Sequence, residues 1–340
     1  MKNKLISLTL LITLISGCNS NSSTSNIIES TNIDLNTNTS TSEIKDDYKL
    51  KIISPTGAPA VGLLNYLNDE NYETNTVPNN IVTEMIKGTH DVVIVDLIGG
   101  LTAINKKSAQ YKLASIITFG NFYIYSTGND SNNIMESDDN IVCFGQNNTP
   151  DILFNHLYPN IGVDTYVAGV SDIAPIAMSG KINNENVDYC IIAEPVLFNV
   201  LNNKNALTYG KGSEYSNFQA KWKEIHGNES SILGASIYIK NETYQNHSNV
   251  VNFFLNNIKS DINTFVNNPE KAIELLDNYG SKEEQAQRIG LNSTIIKGVL
   301  EDSNSINLGY LSSKDSSFNS TVEEYLNVVN STLINKNNYL

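Results

Sequence analysis

Asp91-Val92-Val93-Ile94-Val95-Asp96 sets four β-branched residues in a row between two aspartates. Such side chains favour extended backbone. No polar residue alternates with them, so the strand is covered on both faces, as parallel strands are when helices pack on either side of a sheet. Helical patterns flank it. Ile81, Val82, Met85 and Ile86 share one helix face, with a start expected at Asn80 and an end at Gly88. Residues 97–106 read as the next helix, and strands are expected at 49–54 and 74–77 with a helix at 60–67 between them. Strands alternating with helices make an α/β protein with a parallel sheet.

Farther out, 112–118 and 122–126 read as strands joined through Phe119-Gly120-Asn121, and a polar break follows at 128–140. A second α/β cycle then begins. It has a strand at 141–144 and a helix at 152–158, opened by Thr149 as hydroxyl N-cap, Pro150 at the first helical position and Asp151 in the first turn. A strand at 165–170, a helix at 173–179 and a strand at 187–193 continue it, and Glu194-Pro195 opens a helix running through 201. After a polar segment comes a strand at 232–239. Val251, Phe254, Leu255, Ile258, Ile262, Phe265 and Val266 then keep helical spacing. Asn268-Pro269-Glu270 starts a helix that Gly280 ends, and Ser320 with Glu323 reads as a capping box for the last helix. The expected fold is α/β with two Rossmann-like lobes, a hinge crossed twice, at about 126–132 and 229–233, and a helical C-terminal tail. Lobe 1 is expected to comprise 48–127 plus 232–340, and lobe 2 to comprise 128–231.

The chain opens with Lys2 and Lys4, then an apolar run from Leu5 to Ile15, then Ser16-Gly17-Cys18. This is a secretory signal peptide over 1–17. The run falls short of the about 20 residues that span a bilayer. Ile15-Ser16-Gly17-Cys18 resembles a bacterial lipobox, in which cleavage leaves a lipidated Cys18. Residues 18–47 are almost wholly Asn, Ser, Thr and acidic, too polar to bury a core. They are expected to form a disordered tether with an end-to-end distance on the order of 30 Å. The expected location is the extracytoplasmic face of a bacterial cell membrane, held by the lipid.

The 340 residues carry 22 basic and 36 acidic side chains, a net charge of −14. Removing 1–17 takes two lysines and leaves 20 basic residues, a net charge of −16. That excludes a general nucleic-acid binder. Arginine occurs once, at Arg288. Cys143 and Cys190 sit inside apolar strands and read as packing residues, although export would permit a disulfide. The four histidines are scattered, and no Cys/His spacing suggests a metal site. No catalytic residues, no metal and no cofactor are expected.

Three loops follow the C-terminal ends of expected parallel strands, where ligands bind in open α/β sheets. They are Ser54-Pro55-Thr56-Gly57-Ala58-Pro59, Gly145-Gln146-Asn147-Asn148-Thr149-Pro150 and Ala193-Glu194-Pro195. Gly57 permits close backbone approach, and two of the loops lead into helix starts whose free N–H groups favour an anionic or strongly accepting ligand group. Gly57 and Thr149 would present such donors from opposite lobes. Glu194, just past a strand end, would accept from a ligand amine or face a cationic ring. Capping chemistry alone is the other account of each loop.

In order and spacing these segments resemble the type II periplasmic-binding family, the substrate-binding lipoproteins of ABC importers. The resemblance is strongest to the group related to nitrate, taurine, aliphatic-sulfonate and thiamine-precursor binders. The residues that carry it are Pro55-Thr56-Gly57-Ala58-Pro59, Lys87-Gly88-Thr89-His90-Asp91-Val92 and Thr118-Phe119-Gly120-Asn121-Phe122-Tyr123-Ile124. Thr149-Pro150-Asp151, Ala193-Glu194-Pro195-Val196 and Ile232-Leu233-Gly234-Ala235-Ser236 complete the series. The resemblance runs over roughly 48–335. It implies a monomeric receptor, not an enzyme, that captures a small molecule and hands it to permease and ATPase subunits. Ligand contacts are expected from Thr56, Gly57, Ala58, Asp96, Asn121, Asn148, Thr149 and Glu194. The chain departs from the group after the third strand, where Asp96-Leu97-Ile98-Gly99-Gly100 replaces a Pro-Asn pair; Asp96 there either accepts from a ligand or caps its helix. Arg288 lies between tail helices, away from the expected cleft, which disfavours an amino-acid ligand clamped at its carboxylate. Phe119, Phe122, Tyr123, Phe198 and Tyr310 lie near the loops and suit a flat ligand, or are core. Trp222 rims the cleft or packs beneath it. The alternative functions are an adhesin or sensor lipoprotein without a transporter, and a precursor-biosynthesis enzyme on the same fold.

Overall fold

The apolar run at 91–96 forms the strand Val92–Asp96, and its four aliphatic side chains are wholly buried. A computed structural model describes residues 47–129, 135–202, 213–301 and 305–340. The signal peptide, Cys18 and all of the expected tether but Asp47 lie outside the described residues.

The first stretch comprises β1 (Ile52–Pro55), α1 (Ala58–Val61), β2 (Tyr72–Asn75), α2 (Pro78–Lys87), β3 (Val92–Asp96), α3 (Leu97–Lys107) and β4 (Tyr111–Thr118). The second comprises β5 (Phe122–Ser126), β6 (Ile141–Phe144), α4 (Thr149–Leu157), β7 (Thr165–Val167) and α5 (Val170–Ser179). It continues with β8 (Lys181–Ile182), β9 (Glu185–Asn186), β10 (Tyr189–Ala193), α6 (Val196–Asn202), β11 (Ser213–Asn217) and α7 (Phe218–His226). The third comprises β12 (Ala235–Lys240), α8 (Asn241–Asn246), α9 (Ser248–Asn267), α10 (Pro269–Tyr279), α11 (Lys282–Ile289), α12 (Ser293–Glu301), β13 (Leu308–Ser312) and α13 (Phe318–Val329).

Two mixed sheets organise these elements. The first has the order β13-β4-β12-β3-β1-β2, with β1 parallel to β2 and β3 and with β12 and β13 antiparallel to their neighbours. The second has the order β11-β5-β10-β6-β7, with β6 parallel to β10 and β7 and with β5 antiparallel to β10 and β11. Period-two alternation sends Val93 and Val95 into a cluster with α2, α3 and α13, and Val92 and Ile94 into one with α9, α10 and α12. The first of these clusters also takes Phe154, Phe218 and Trp222 from the second lobe. A third cluster packs α5 and α6 on the other face of the second sheet.

The structure moves the lobe boundary. Strand 122–126, expected in lobe 1, pairs with β10 and β11 in the second sheet, so the first crossing falls at 119–121 rather than 126–132. Two apolar strands three residues apart read as neighbours. Gly120 instead adopts a left-handed φ of 56°, in a place where an added Cβ would collide with Gln219, and the chain passes from one sheet to the other. It returns between His226 and Ala235. The C-terminal region is helical except for β13, an unanticipated strand that extends the first sheet beyond β4. β11 was likewise read as a polar segment.

Several caps differ from the expectation. α2 starts at Pro78 with Val77 as N-cap, so Asn80 lies inside it. α13 starts at Phe318, so Ser320 lies in its first turn and its hydroxyl donates to Ser317 O; there is no Ser320–Glu323 box. α4 takes Asn148, not Thr149, as its N-cap. α10 begins at Pro269 and ends before Gly280, as its punctuation indicates. Cys143 and Cys190 are buried free thiols that pack into different clusters.

Candidate functional site

The C-terminal ends of β1, β3, β6 and β10 face one cavity of about 380 Å³. All eight expected contact residues line it: Thr56, Gly57, Ala58 and Asp96 from the first lobe, Asn148, Thr149 and Glu194 from the second, and Asn121 from the crossing. Fold topology explains the convergence, since successive βα loops of parallel strands emerge on the same side.

Asp96 is the N-cap of α3 and accepts from Gly99 N–H at 2.8 Å. The same oxygen accepts from the Thr149 hydroxyl of the opposite lobe at 2.7 Å. Burial raises the Asp96 pKa, partly offset by these hydrogen bonds. Both accounts of Asp96 thus meet at one carboxylate, which caps its helix and faces the cleft.

Glu194 is 7 % exposed, and its Oε2 accepts from Phe198 N–H at 2.9 Å, closing the start of α6. Asn121 is tied to the same turn. Its Nδ2 donates to Glu194 O at 3.2 Å, and its carbonyl accepts from Glu194 N–H at 3.0 Å. The crossing at 119–121 is therefore fastened to the floor of the second lobe. Asn148 packs over Gly145, which holds a φ of 67° where an added Cβ would meet Asn148 Nδ2.

Gly57 does not offer the donor expected of it. Its N–H donates to Ile289 O at 2.7 Å. Its φ of 89° with ψ of −147° is instead what requires glycine. The Thr149 hydroxyl donates to Asp96.

The sequence reading missed the share of α11. Ala286 and Gly290 line the cavity because α11 is clamped to the first sheet by Arg288. The Arg288 guanidinium donates to Leu67 O at 3.3 Å and to Tyr72 O at 2.6 Å, and lies 4.8 Å from the centre of the Tyr72 ring. Arg288 itself does not line the cavity. Of the aromatic candidates only Phe122 does, joined by Phe144 from the end of β6. Phe119, Tyr123, Phe198 and Tyr310 are not among the lining residues. Trp222 packs beneath, wholly buried, with its Nε1 donating to Ser230 Oγ at 2.7 Å. Five of the eight prolines (Pro55, Pro59, Pro78, Pro150, Pro195) also line the cavity. Their clustering beside helix starts and the place of Phe144 at a strand end were the available signals.

No protein-family model and no curated protein sequence matches the chain. Solved structures do. An ABC transporter protein from Parabacteroides distasonis matches 86 % of this chain and 99 % of its own, with a TM-score of 0.60 and 14 % identity. The periplasmic aliphatic sulphonate binding protein of Escherichia coli matches 82 % and 85 %, with a TM-score of 0.57 and 13 % identity. A Candida albicans protein described as having the generic periplasmic binding protein fold matches 84 % and 91 %, with a TM-score of 0.50 and 10 % identity. At such identities the likeness is one of fold, and the fold is that of the periplasmic binding proteins.

Proposed function

We propose that this protein is an extracytoplasmic solute receptor of an ABC importer, tethered to the membrane through a lipid on Cys18. It would capture a small molecule between its lobes and deliver it to permease and ATPase subunits, acting as a monomer without a cofactor or a chemical step. One observation carries the reading. A cavity of about 380 Å³ lies at the strand ends between two lobes, within the size range of small-molecule sites, and a side-chain hydrogen bond from Thr149 to Asp96 crosses it. Lobes joined by two crossings suit closure over a ligand. Among the described residues no helix is long and apolar enough to cross a membrane.

A thermal-shift screen over small solutes tests the receptor role. A true ligand at 100 times its dissociation constant adds about 2.7 kcal/mol to stability, and it should also reduce the radius of gyration in solution scattering. A broad solute library that neither stabilises nor compacts the protein would refute the role. The anchor is tested separately: Cys18→Ser should abolish lipid labelling and release the protein, and retained labelling would refute it.

A further inference from the structure

The two lobes touch on both faces of their sheets, and the two contacts differ in kind. Alternation sends Val93 and Val95 of β3 and Tyr189 and Ile191 of β10 into one shared cluster. Their neighbours Val92, Ile94, Cys190 and Ile192 point to the opposite faces. On the shared face the core runs from lobe to lobe. Phe154 of α4 and Phe218 and Trp222 of α7 lie in it with Phe318, Val322 and Tyr325 of α13, none of them more than 1 % exposed. The Trp222 and Tyr325 rings stand 5.4 Å apart.

Both crossings are set into this same core. Ile232 and Leu233 of the returning segment are buried in it, and Phe119 of the first crossing packs against it. α7 ties the returning segment further. Gln219 Oε1 accepts from Ile232 N–H at 2.9 Å, and its Nε2 donates to Ser230 O at 3.2 Å. The returning segment, one of the two that would bend in a hinge, is thus held against α7, and α7 against α13.

On the opposite faces each lobe keeps its own cluster, with α9, α10 and α12 in the first lobe and α5 and α6 in the second. There the half-buried Phe198 of α6 reaches across to Gly298 of α12. At the cavity the Thr149 hydroxyl crosses to Asp96. Parting the shared face would carry the facing rings of Trp222 and Tyr325 into water and open the core around them, a large loss of apolar burial. Parting the other releases one half-buried ring and one hydrogen bond, whose net worth is modest.

We infer that the cleft opens on one side only. α13, α7 and α4 form a fixed spine along the crossings, and α6 swings away from α12 as Thr149 leaves Asp96. The inference rests on the receptor reading for there being a motion that admits a ligand, and it names the side on which that motion occurs. Phe198 and Gly298 are then the gate, and α13 is the support of the hinge.

Two nitroxide pairs test it in the full chain carrying Cys18→Ser, since Cys143 and Cys190 are buried. One pair, Asn202→Cys with Lys297→Cys, spans α6 and α12. The other, Lys223→Cys with Glu324→Cys, spans α7 and α13; all four positions are exposed. Thr149→Val and Phe198→Ala together cut both ties on the opening side. Pulsed electron-spin measurements should then show the first pair shifted to a longer distance. The second pair should keep one narrow distance, and the emission of Trp222 should stay unchanged. Melting curves check that the double variant folds; if it does not, Thr149→Val alone should give the same shift to a smaller extent. A second pair that lengthens with the first overturns the inference, as does a shifted Trp222 emission or a first pair that stays put. The receptor role is judged apart, because no ligand enters this test. A solute that binds and compacts the protein while the α7–α13 distance changes would uphold the receptor and sink the spine.

Discussion

Gly298 of α12 lies directly against the ring of Phe198 of α6, with no room for a methyl group between them. Phe198 thereby packs against the apolar cluster of the other lobe, to which α12 contributes Ile296 and Val299. The contact joins α12 to α6. Gly298→Ala must therefore displace Phe198 or part the helices. The variant should show a larger radius of gyration than the parent protein in the absence of ligand. It should also lose about 1–3 kcal/mol of stability, the usual cost of overpacking. A variant with unchanged scattering and melting would show that Phe198 swings aside freely.

The bond from Thr149 to Asp96 has a pH consequence. Burial raises the Asp96 pKa above its ordinary 3.8. A carboxyl with a raised folded-state pKa contributes stability that is complete below the unfolded value and is lost as pH rises through the folded one. At neutral pH the protein therefore bears the cost of ionising Asp96. Asp96→Asn keeps an acceptor for Gly99 and Thr149 and removes that cost. The variant should melt at a higher temperature than the parent at pH 7, and the gap should close as pH falls towards 3.8. A constant gap at every pH would place the gain elsewhere than in ionisation.

Arg288 holds α11 to the Leu67 carbonyl and, in β2, to the Tyr72 carbonyl and ring. Lysine is a point charge and cannot make the planar two-carbonyl contact while stacking. Arg288→Lys should cost about 1–3 kcal/mol in chemical denaturation. Because Ala286 and Gly290 would lose their support, it should also weaken ligand binding although Arg288 does not line the cavity. Full stability in the lysine variant would show that charge alone suffices.

His156 of α4 and His226 of α7 meet Nε2 to Nε2 at 2.8 Å, with the Trp222 ring 4.3 Å from that of His226. Burial, and then the neighbouring His226, lower the His156 pKa below 6.5. A depressed histidine contributes stability that is present above the unfolded value and is lost as pH falls through the folded one. Acidification below about pH 6.5 should loosen this corner and change the emission of Trp222, the chain's one tryptophan. His156→Gln removes the titration and should flatten that response. An unaltered acid transition in the variant would locate it in another group.

The α/β alternation, the place of the three loops and eight of the residues that line the cavity were legible in the sequence. Each depends on local signals: the unbroken apolar run at 92–95, and prolines and glycines where strands turn into helices. A loop at the end of a parallel strand reaches the same side of its sheet whatever the rest of the chain does. Gly57 stands at one of those turns, but the reason it must be glycine is a φ of 89° that the folded backbone imposes, not the close approach expected of it.

Which sheet takes 122–126, what happens to each donor in the site, and which distant residues complete its wall were decided by tertiary structure. Phe122–Ser126 is apolar enough to join either sheet, and its partner β10 lies more than 60 residues away. The Gly57 N–H is free or taken according to where Ile289 falls, and the Thr149 hydroxyl according to how near Asp96 comes across the cleft. Ala286 and Gly290 have no local feature that marks them; they reach the cavity because Arg288 grips two carbonyls over 200 residues away. Hydrogen bonds and packing between remote segments leave no periodic trace in the chain, because their strength depends on distances that exist only once the whole core has closed.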